Sequence, residues 1–219
     1  MRSGLACVKR AGAQNSPVNY LAHLYLSEPT EDAWLGALLG DFVKGPLDPA
    51  QHGIAITRAI AVHRRIDTFT DAHPVVLRSK ARISAPRRRY AGIMLDMFYD
   101  HFLAKYWSEF HQESLEHFAN RVYAILGYRH HALPPRLRHV ARVMAQQDWL
   151  GSYARIESIR GALDRMSLRL RRENPLHGSA DELVGRYGEL EADFREFLPL
   201  AARFVQWSAE ASASPVQTA

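Results

Sequence analysis

The sequence has a single cysteine, Cys7, so no disulfide can form within the chain. It lacks a run of about 18 apolar residues, which a membrane-spanning helix needs. The basic N-terminus, with Arg2, Lys9 and Arg10, is not followed by the continuous apolar segment of a signal peptide. Since unpaired cysteines are typical of reducing compartments, these absences predict a cytoplasmic protein.

Several catalytic signatures are also absent. The sequence has no glycine-rich phosphate loop, no His-Glu-x-x-His zinc pair, no Cys-x-x-Cys pair and no Gly-x-Ser-x-Gly nucleophile elbow. Cys7 lies in a small, polar, aperiodic terminal segment, where a catalytic nucleophile is not expected. The sequence therefore offers none of these standard routes to hydrolysis or dithiol chemistry.

Hairpin signals of the Asn-Gly or Asp-Gly type are missing too, and apolar residues recur at three- and four-residue spacing nearly throughout. We therefore predict an all-α, single-domain bundle of about seven to ten helices. Thr30 is predicted to cap the N-terminus of the second helix, where Glu31 and Asp32 follow it. The predicted helices cover residues 19–27, 30–42, 50–70, 75–83, 87–107, 115–126, 136–147, 152–172 and 179–207.

The two ends of the chain have a different composition from the rest. Residues 1–17 are predicted to be a disordered leader or an over-extended start, and residues 208–219 a disordered tail. The helical domain is predicted to cover residues 18–207.

Basic residues exceed acidic ones by 28 to 23, which gives a formal net charge of +5. Arginine dominates the basic residues, and its planar fork suits two-point contacts with carboxylates and phosphates. The balance favours an acidic or phosphorylated partner. On charge alone, nucleic acid, acidic protein, a membrane surface and an ordinary solvated basic surface all remain open.

The middle of the chain places His63, Asp67 and Asp71 four residues apart, so one helix face carries all three if the helix continues. An imidazole and a carboxylate on one face are suitable ligands for a divalent cation. The alternative is an exposed face with a histidine–aspartate hydrogen bond.

Other polar residues lie in apolar surroundings. Asp96 and Asp100 share a face of an apolar segment, and a buried carboxylate needs a metal, arginine or histidine partner. His23 and Asp41 each stand alone in an apolar run. Each could be an ordinary hydrogen-bonded core residue, or half of a structural ion pair. Polar residues on four different helices nevertheless favour one interior site, because a bundle collects ligands from facing helices.

At these residues the sequence resembles the acyl carrier protein phosphodiesterase family, over about residues 19–204. The family is related to the His-Asp metal-dependent phosphohydrolases. This chain has no adjacent His-Asp pair in the expected place; it has His63 with Asp67, and Asp100-His101 in reverse order. The resemblance rests on NYLAHL at 19–24, LLGDFVKG at 38–45, HRRIDTFTD at 63–71, LDMFYDHFL at 95–103 and, more weakly, WLGSY at 149–153.

The resemblance implies an all-helical phosphoric diester hydrolase with a divalent metal, Mn²⁺ being favoured and Mg²⁺ possible. Its expected reaction is hydrolysis of the phosphodiester between 4′-phosphopantetheine and a serine of the carrier protein, which releases the apo carrier. The expected metal ligands are His23, Asp41, His63, Asp67 and Asp100.

A metal-assisted mechanism also needs groups that move protons and hold phosphate. Asp71 is an alternative to Asp96 as proton carrier, and Arg65 an alternative to Arg64 for holding phosphate. The expected catalytic residues are Asp41, Asp67, Asp96, His101 and Arg64.

The expected partner is an acidic acyl carrier protein, with no nucleic acid or membrane partner. A basic patch is predicted to dock it, although ordinary solvated charge is the alternative. The patch comprises Arg78, Lys80, Arg82, Arg87, Arg88 and Arg89.

Two other functions stay open on the sequence. One is a related phosphohydrolase that acts on a nucleotide with the same metal site. The other is a non-enzymatic, basic helical protein that binds nucleic acid or acts as an adaptor, in which the carboxylates are structural.

Overall fold

A computed structural model describes residues 19–213 of the chain, and the side chains of residues 19–208. Two 3₁₀ segments, Ala85–Tyr90 and His130–Ala132, lie between α-helices. The α-helices of this part of the chain are α1 (Tyr20–Tyr25), α2 (Glu31–Leu39), α3 (Pro49–His52), α4 (Ile54–Ala72), α5 (Pro74–Arg82), α6 (Ala91–Lys105), α7 (Trp107–Phe110), α8 (Leu115–Tyr128), α9 (Pro135–Gln146), α10 (Trp149–Ser152), α11 (Ile156–Arg169), α12 (Ala180–Gly185) and α13 (Tyr187–Ala213).

The all-α prediction is confirmed, because the described residues form helices, turns and loops without a strand. The helices outnumber the prediction because α3, α7 and α10 have only four residues each, too few for an apolar period to appear in the sequence. The helix predicted from residue 87 starts as a 3₁₀ segment and becomes α-helical at Ala91. Among the described residues, no helix combines the length and apolar character needed to cross a bilayer.

The predicted ends of the domain are only partly visible. Residues 1–17, the predicted leader, and residues 214–219 lie outside the described residues. α13 continues to Ala213, past the helix end predicted at residue 207. The side chain of Ser208 is buried, so packing also continues past that point.

Local signals in the sequence set several helix ends. The hydroxyl of Thr30 accepts a hydrogen bond from the amide of Ala33, as its predicted capping role requires. Ser114 caps α8 in the same way, and Pro74 occupies the first turn of α5, where its missing N–H costs nothing. Gly45, at φ +80°, turns the chain after α2 in a conformation that favours glycine.

α6 is the central helix of the bundle and packs against α1, α5, α11 and α13. Met94, Phe98 and Phe102 on it are fully buried. Burying each such side chain contributes roughly 1.5–3 kcal/mol. The apolar side chains of α1 and α6 thus form much of the core, and polar residues of α4 and of the end of α2 lie next to it.

Candidate metal centre

Asp100 on α6 fixes the start of α1 and so the position of His23. Its two carboxylate oxygens accept hydrogen bonds from the amides of Leu21, at 3.0 Å, and Ala22, at 2.8 Å. The first amides of a helix lack partners within it, and the residue before α1 supplies no side-chain cap. Burial raises the pKa of Asp100, while the amides of Ala22 and Leu21 lower it. Both oxygens of this predicted metal ligand are therefore used to hold the α1 backbone.

Two glycines one turn apart let α2 approach α4 very closely. A Cβ atom added at Gly36 would lie 2.3 Å from the Cβ of Ala59, and one added at Gly40 would lie 2.3 Å from the ring of His63. Both distances are too short for real carbon atoms, so only glycine fits. This close packing brings Asp41, just after α2, beside His63 of α4.

His23, His63 and Asp67 meet where α1 and α4 face each other. The two imidazole rings stack with their centroids 3.8 Å apart, at an interplanar angle of 18°. Oδ1 of Asp67 lies 3.1 Å from Nε2 of His23, and Oδ2 lies 3.3 Å from Nε2 of His63. Asp41 adds an oxygen 3.5 Å from the same nitrogen of His63. The first three side chains each offer a ligand atom within 4.8 Å of the others, an arrangement that fits a single metal ion.

The buried imidazole nitrogens lack hydrogen-bond partners. None of the Nδ1 and Nε2 atoms of His23 and His63 makes a well-directed hydrogen bond with the described residues. The short contacts to Asp67 are therefore ion-pair contacts rather than directed hydrogen bonds. Buried polar atoms normally have partners, and a divalent cation between these nitrogens and oxygens would supply one. The mixed nitrogen and oxygen donor set suits a first-row divalent metal.

The pKa values of these groups show that the centre favours positive charge. Burial and the neighbouring His63 lower the pKa of His23. Burial also lowers the pKa of His63, but Asp41 and Asp67 outweigh it and raise that pKa to about 9. Burial raises the pKa of Asp67, but the two histidines outweigh it and hold that pKa well below its usual range. The carboxylates of Asp41 and Asp67 thus favour a positive charge at His63, which a bound cation could supply instead of a proton.

A small cavity of about 70 Å³ opens beside His23. Three other charged residues that the sequence analysis singled out line it. Asp71 and Lys80 line it and form an ion pair of 2.9 Å. Asp96 lines the same cavity. Burial, followed by the charges of Asp67 and Asp71, raises the pKa of Asp96 to about 8. Asp96 is therefore mostly protonated at neutral pH and can donate a proton.

Two predicted catalytic residues have other partners. Arg64 donates to the carbonyls of Val43 and Gly45, both at 2.8 Å, so its guanidinium holds the loop after α2. The ring nitrogens of His101 lie 2.9 Å from the Tyr153 carbonyl and 2.9 Å from the Tyr187 hydroxyl. Both groups therefore hold neighbouring segments in this structure, and the roles predicted for them, phosphate binding by Arg64 and proton transfer by His101, stay predictions.

The predicted docking patch is largely paired with acidic residues of the same chain. Arg78 and Arg82 both bind Asp193 of α13, and Arg87 binds Glu182. Lys80 pairs with Asp71, as above. Of the remaining two, Arg88 donates to the Ile83 carbonyl at 3.4 Å, and Arg89 is exposed. Most of this patch therefore joins helices rather than presenting free charge.

Sequence reasoning missed the two glycines of α2. Their signal was present, since Gly36 and Gly40 lie four apart on one helix face next to Asp41. That spacing of small residues indicates close helix packing. Which helix packs there, and which side chain the second glycine must clear, depends on tertiary structure.

Comparison with known proteins identifies the relatives of this chain. Residues 18–201 match the family model described as acyl carrier protein phosphodiesterase. A protein of that name from Serratia proteamaculans is 36% identical over 184 residues, which cover 83% of this chain and 94% of the relative. The protein of that name from Photorhabdus laumondii is 32% identical over 192 residues, covering 83% and 92%. No solved structure matches the chain.

Proposed function

The chain belongs to the acyl carrier protein phosphodiesterase family, and we propose that it hydrolyses the phosphodiester between 4′-phosphopantetheine and a serine of a holo acyl carrier protein. The products are 4′-phosphopantetheine and the apo carrier. One observation carries the proposal beyond the family: two stacked, buried imidazoles, which make no well-directed hydrogen bond within the described part of the chain, face two carboxylates. A purely structural cluster would satisfy those nitrogens.

The residues that would hold the metal are His23, His63 and Asp67, with Asp41 beside them. Mn²⁺ is the proposed cation, because the donors are a mixture of imidazole and carboxylate, whereas Mg²⁺ prefers oxygen ligands alone. A bound divalent cation supplies activation of water and neutralisation of phosphate charge. Asp67 spans both histidines and keeps their Nε2 atoms facing the same point.

Asp96 is the proposed proton donor to the leaving serine oxygen. Attack of water on phosphorus breaks the bond to that oxygen, which then needs a proton. Asp96 lines the cavity that also contains His23, and it carries a proton at neutral pH because of its raised pKa. Lys80 lines the same cavity and can pair with a phosphate oxygen. Asp71, its present partner, can accept the proton released by the water.

The proposed function is tested by incubating the full chain with holo acyl carrier protein and Mn²⁺, and by measuring the intact mass of the carrier. We expect the carrier to lose the mass of phosphopantetheine, and a chelator to prevent that loss. The matched control is the same chain with His23 and His63 both changed to alanine. Hydrolysis of a nucleotide with no loss of phosphopantetheine would instead support the nucleotide phosphohydrolase.

A further inference from the structure

A second, larger cavity lies between α6, α9, α10 and α11 and has a volume of about 460 Å³. Its floor includes the apolar side chains of Trp149, Met166 and Leu170. Four exposed arginines also line it, and we call this cavity the arginine groove. These arginines are Arg136, Arg155, Arg165 and Arg169.

The arginines of the groove are used differently from those of the predicted patch. Arg82 and Arg87 pair with carboxylates of the same chain. None of the four groove arginines forms an ion pair with any residue that the structure describes. Like charges around one cavity repel each other, so an anionic partner that enters it lowers the electrostatic free energy.

The groove adjoins the candidate metal centre through two helices. Tyr20 lines the groove and lies one turn before His23 in α1. Burial raises the pKa of Tyr20, the charge of Asp41 raises it further and that of Arg169 lowers it. The Tyr20 hydroxyl therefore lies close enough to both the metal centre and the groove to interact with charges in each. Met97 of the groove directly follows Asp96 in α6. The groove and the small cavity beside His23 thus lie on either side of the same two helices.

The chemistry of the substrate requires a docking surface close to the metal centre. In the reaction proposed above, the bond that breaks is attached to a serine of the carrier protein itself. The surface that holds the carrier must therefore lie next to the metal centre. The arginine groove meets this requirement, and its arginines form no ion pair within the described part of the chain.

We propose that the arginine groove is the docking surface for the acyl carrier protein substrate, and that it binds an acidic, partly apolar helix face of that protein. The inference rests on the proposed function. Arginine forks on the rim would bind carboxylates, and the apolar floor would receive aliphatic side chains.

The composition of the floor favours a protein over nucleic acid. Met166 and Leu170 make part of the floor aliphatic. Two of its three aromatic side chains, Tyr20 and Tyr153, are buried, which leaves the half-buried indole of Trp149 as the one ring face there on which a base could stack. An anionic membrane would favour a flat or convex basic surface, whereas these arginines surround a cavity.

The test measures binding separately from turnover. Dye-labelled holo carrier is titrated with the full chain in a chelator, and the Kd is read by fluorescence anisotropy. In R165E/R169E we expect the Kd to rise by at least about 10-fold, because a rim of positive charge becomes partly negative. The matched control is R58E/R203E, with the same change of charge at two exposed arginines outside the groove, and its Kd should change by less than about 2-fold.

A second variant covers the case in which charge reversal disturbs folding. R136A/R155A removes charge without adding the opposite one, and it should raise the Kd by at least about 3-fold. Circular dichroism and the melting temperature check that each variant is folded. An unchanged Kd in both groove variants, or equal weakening in R58E/R203E, would overturn the proposal. The proposal would also be overturned if the groove bound a single-stranded oligonucleotide, or anionic phospholipid vesicles, more tightly than it binds the carrier.

The outcomes also separate this inference from the proposed function. If the wild-type chain binds the carrier through the groove but never releases phosphopantetheine, the docking surface stands and the proposed reaction fails. If the chain releases phosphopantetheine and R165E/R169E keeps the wild-type KM for the carrier, the reaction stands and the docking surface fails. Hydrolysis of a small soluble phosphodiester by each variant reports whether the metal centre is intact.

Discussion

The protein buries two clusters of polar side chains that differ in how well their groups are satisfied. In the Asp193 cluster, Oδ1 of Asp193 accepts from Arg78 and Arg82, and Oδ2 accepts from Ser79 and Arg82. In the centre formed by His23, His63 and Asp67, the ring nitrogens have no well-directed hydrogen-bond partner among residues 19–208. One cluster is complete within the chain, and the other needs a further group.

This difference separates a cluster that stabilises the fold from one that performs chemistry. A buried carboxylate with several charge-assisted hydrogen bonds joins α5 to α13 and needs no ligand. Buried imidazoles that make no well-directed hydrogen bond destabilise the protein alone, and a bound cation can offset that loss of free energy. Changes in the two clusters should therefore affect different measurements.

The largest expected effect is on catalysis, from His63→Ala. Loss of one imidazole ligand should lower carrier turnover by about 1000-fold, since metal chemistry contributes several kcal/mol to the barrier. Mn²⁺ at 100 times its Kd should stabilise the wild-type chain by about 2.7 kcal/mol and the variant by much less. Intact-mass kinetics and thermal melts with and without Mn²⁺ measure both effects.

Asp193→Asn, in the Asp193 cluster, should have the opposite effect: a loss of stability with little loss of activity. Removing one partner of a buried ion pair is strongly destabilising, and here Arg78 and Arg82 keep Glu196 and Glu189 as partners. We expect the free energy of unfolding to fall by about 2–3 kcal/mol, and turnover at 25 °C to stay within about 3-fold of wild type. Urea unfolding gives the first value. A variant that kept its stability and lost its activity would remove the distinction between the clusters.

Gly40→Ala tests whether the close packing of α2 against α4 supports the metal centre, and we expect its effect on stability and metal binding to be intermediate. The added Cβ would meet the His63 ring at 2.3 Å, so the ring or α2 must move. Overpacking of this kind costs about 1–3 kcal/mol, and we expect weaker Mn²⁺ binding with it. Gly127→Ala in α8 is the matched control, because its Cβ would meet nothing within 4 Å. Wild-type metal affinity in Gly40→Ala would show that the close approach of α2 and α4 is not needed.

The sequence predicts the helical class and most of the central polar residues, because both leave local signals. The apolar period is local, and His63 and Asp67 share a helix face by spacing alone. What the sequence cannot supply is the partner across the bundle. Asp100 shares its face with Asp96, yet its oxygens bind the α1 backbone, while Asp96 lines a cavity.

The docking patch predicted from a local run of arginines meets the same limit. A run such as Arg87-Arg88-Arg89 records charge density but not the acids that folding places opposite it. Glu182 lies far along the chain from Arg87 and pairs with it in the fold. The arginines around the groove are spread over residues 136–169, so no local run marks them, and only the fold brings these parts of the chain to one cavity.

The smallest expected effect is a pH dependence of stability that arises from the Asp193 cluster. Burial raises the pKa of Asp193, but hydrogen bonds from Arg82, Ser79 and Arg78 outweigh it and lower that pKa below its usual value. The folded protein therefore binds the proton less readily than the unfolded chain, whose aspartate pKa is about 3.9. The stabilisation is complete above that value and is lost as the pH falls through the folded pKa.

The difference in unfolding free energy between wild type and Asp193→Asn should accordingly stay constant from about pH 7 to pH 5 and shrink below about pH 4. Urea unfolding in chelator measures it without a contribution from the metal centre. Glu173→Gln, at an exposed acid, is the control and should show no such change. A difference that grew in acid would mean that Asp193 is protonated more readily in the folded protein, and the Asp193 cluster would then resemble the unsatisfied one.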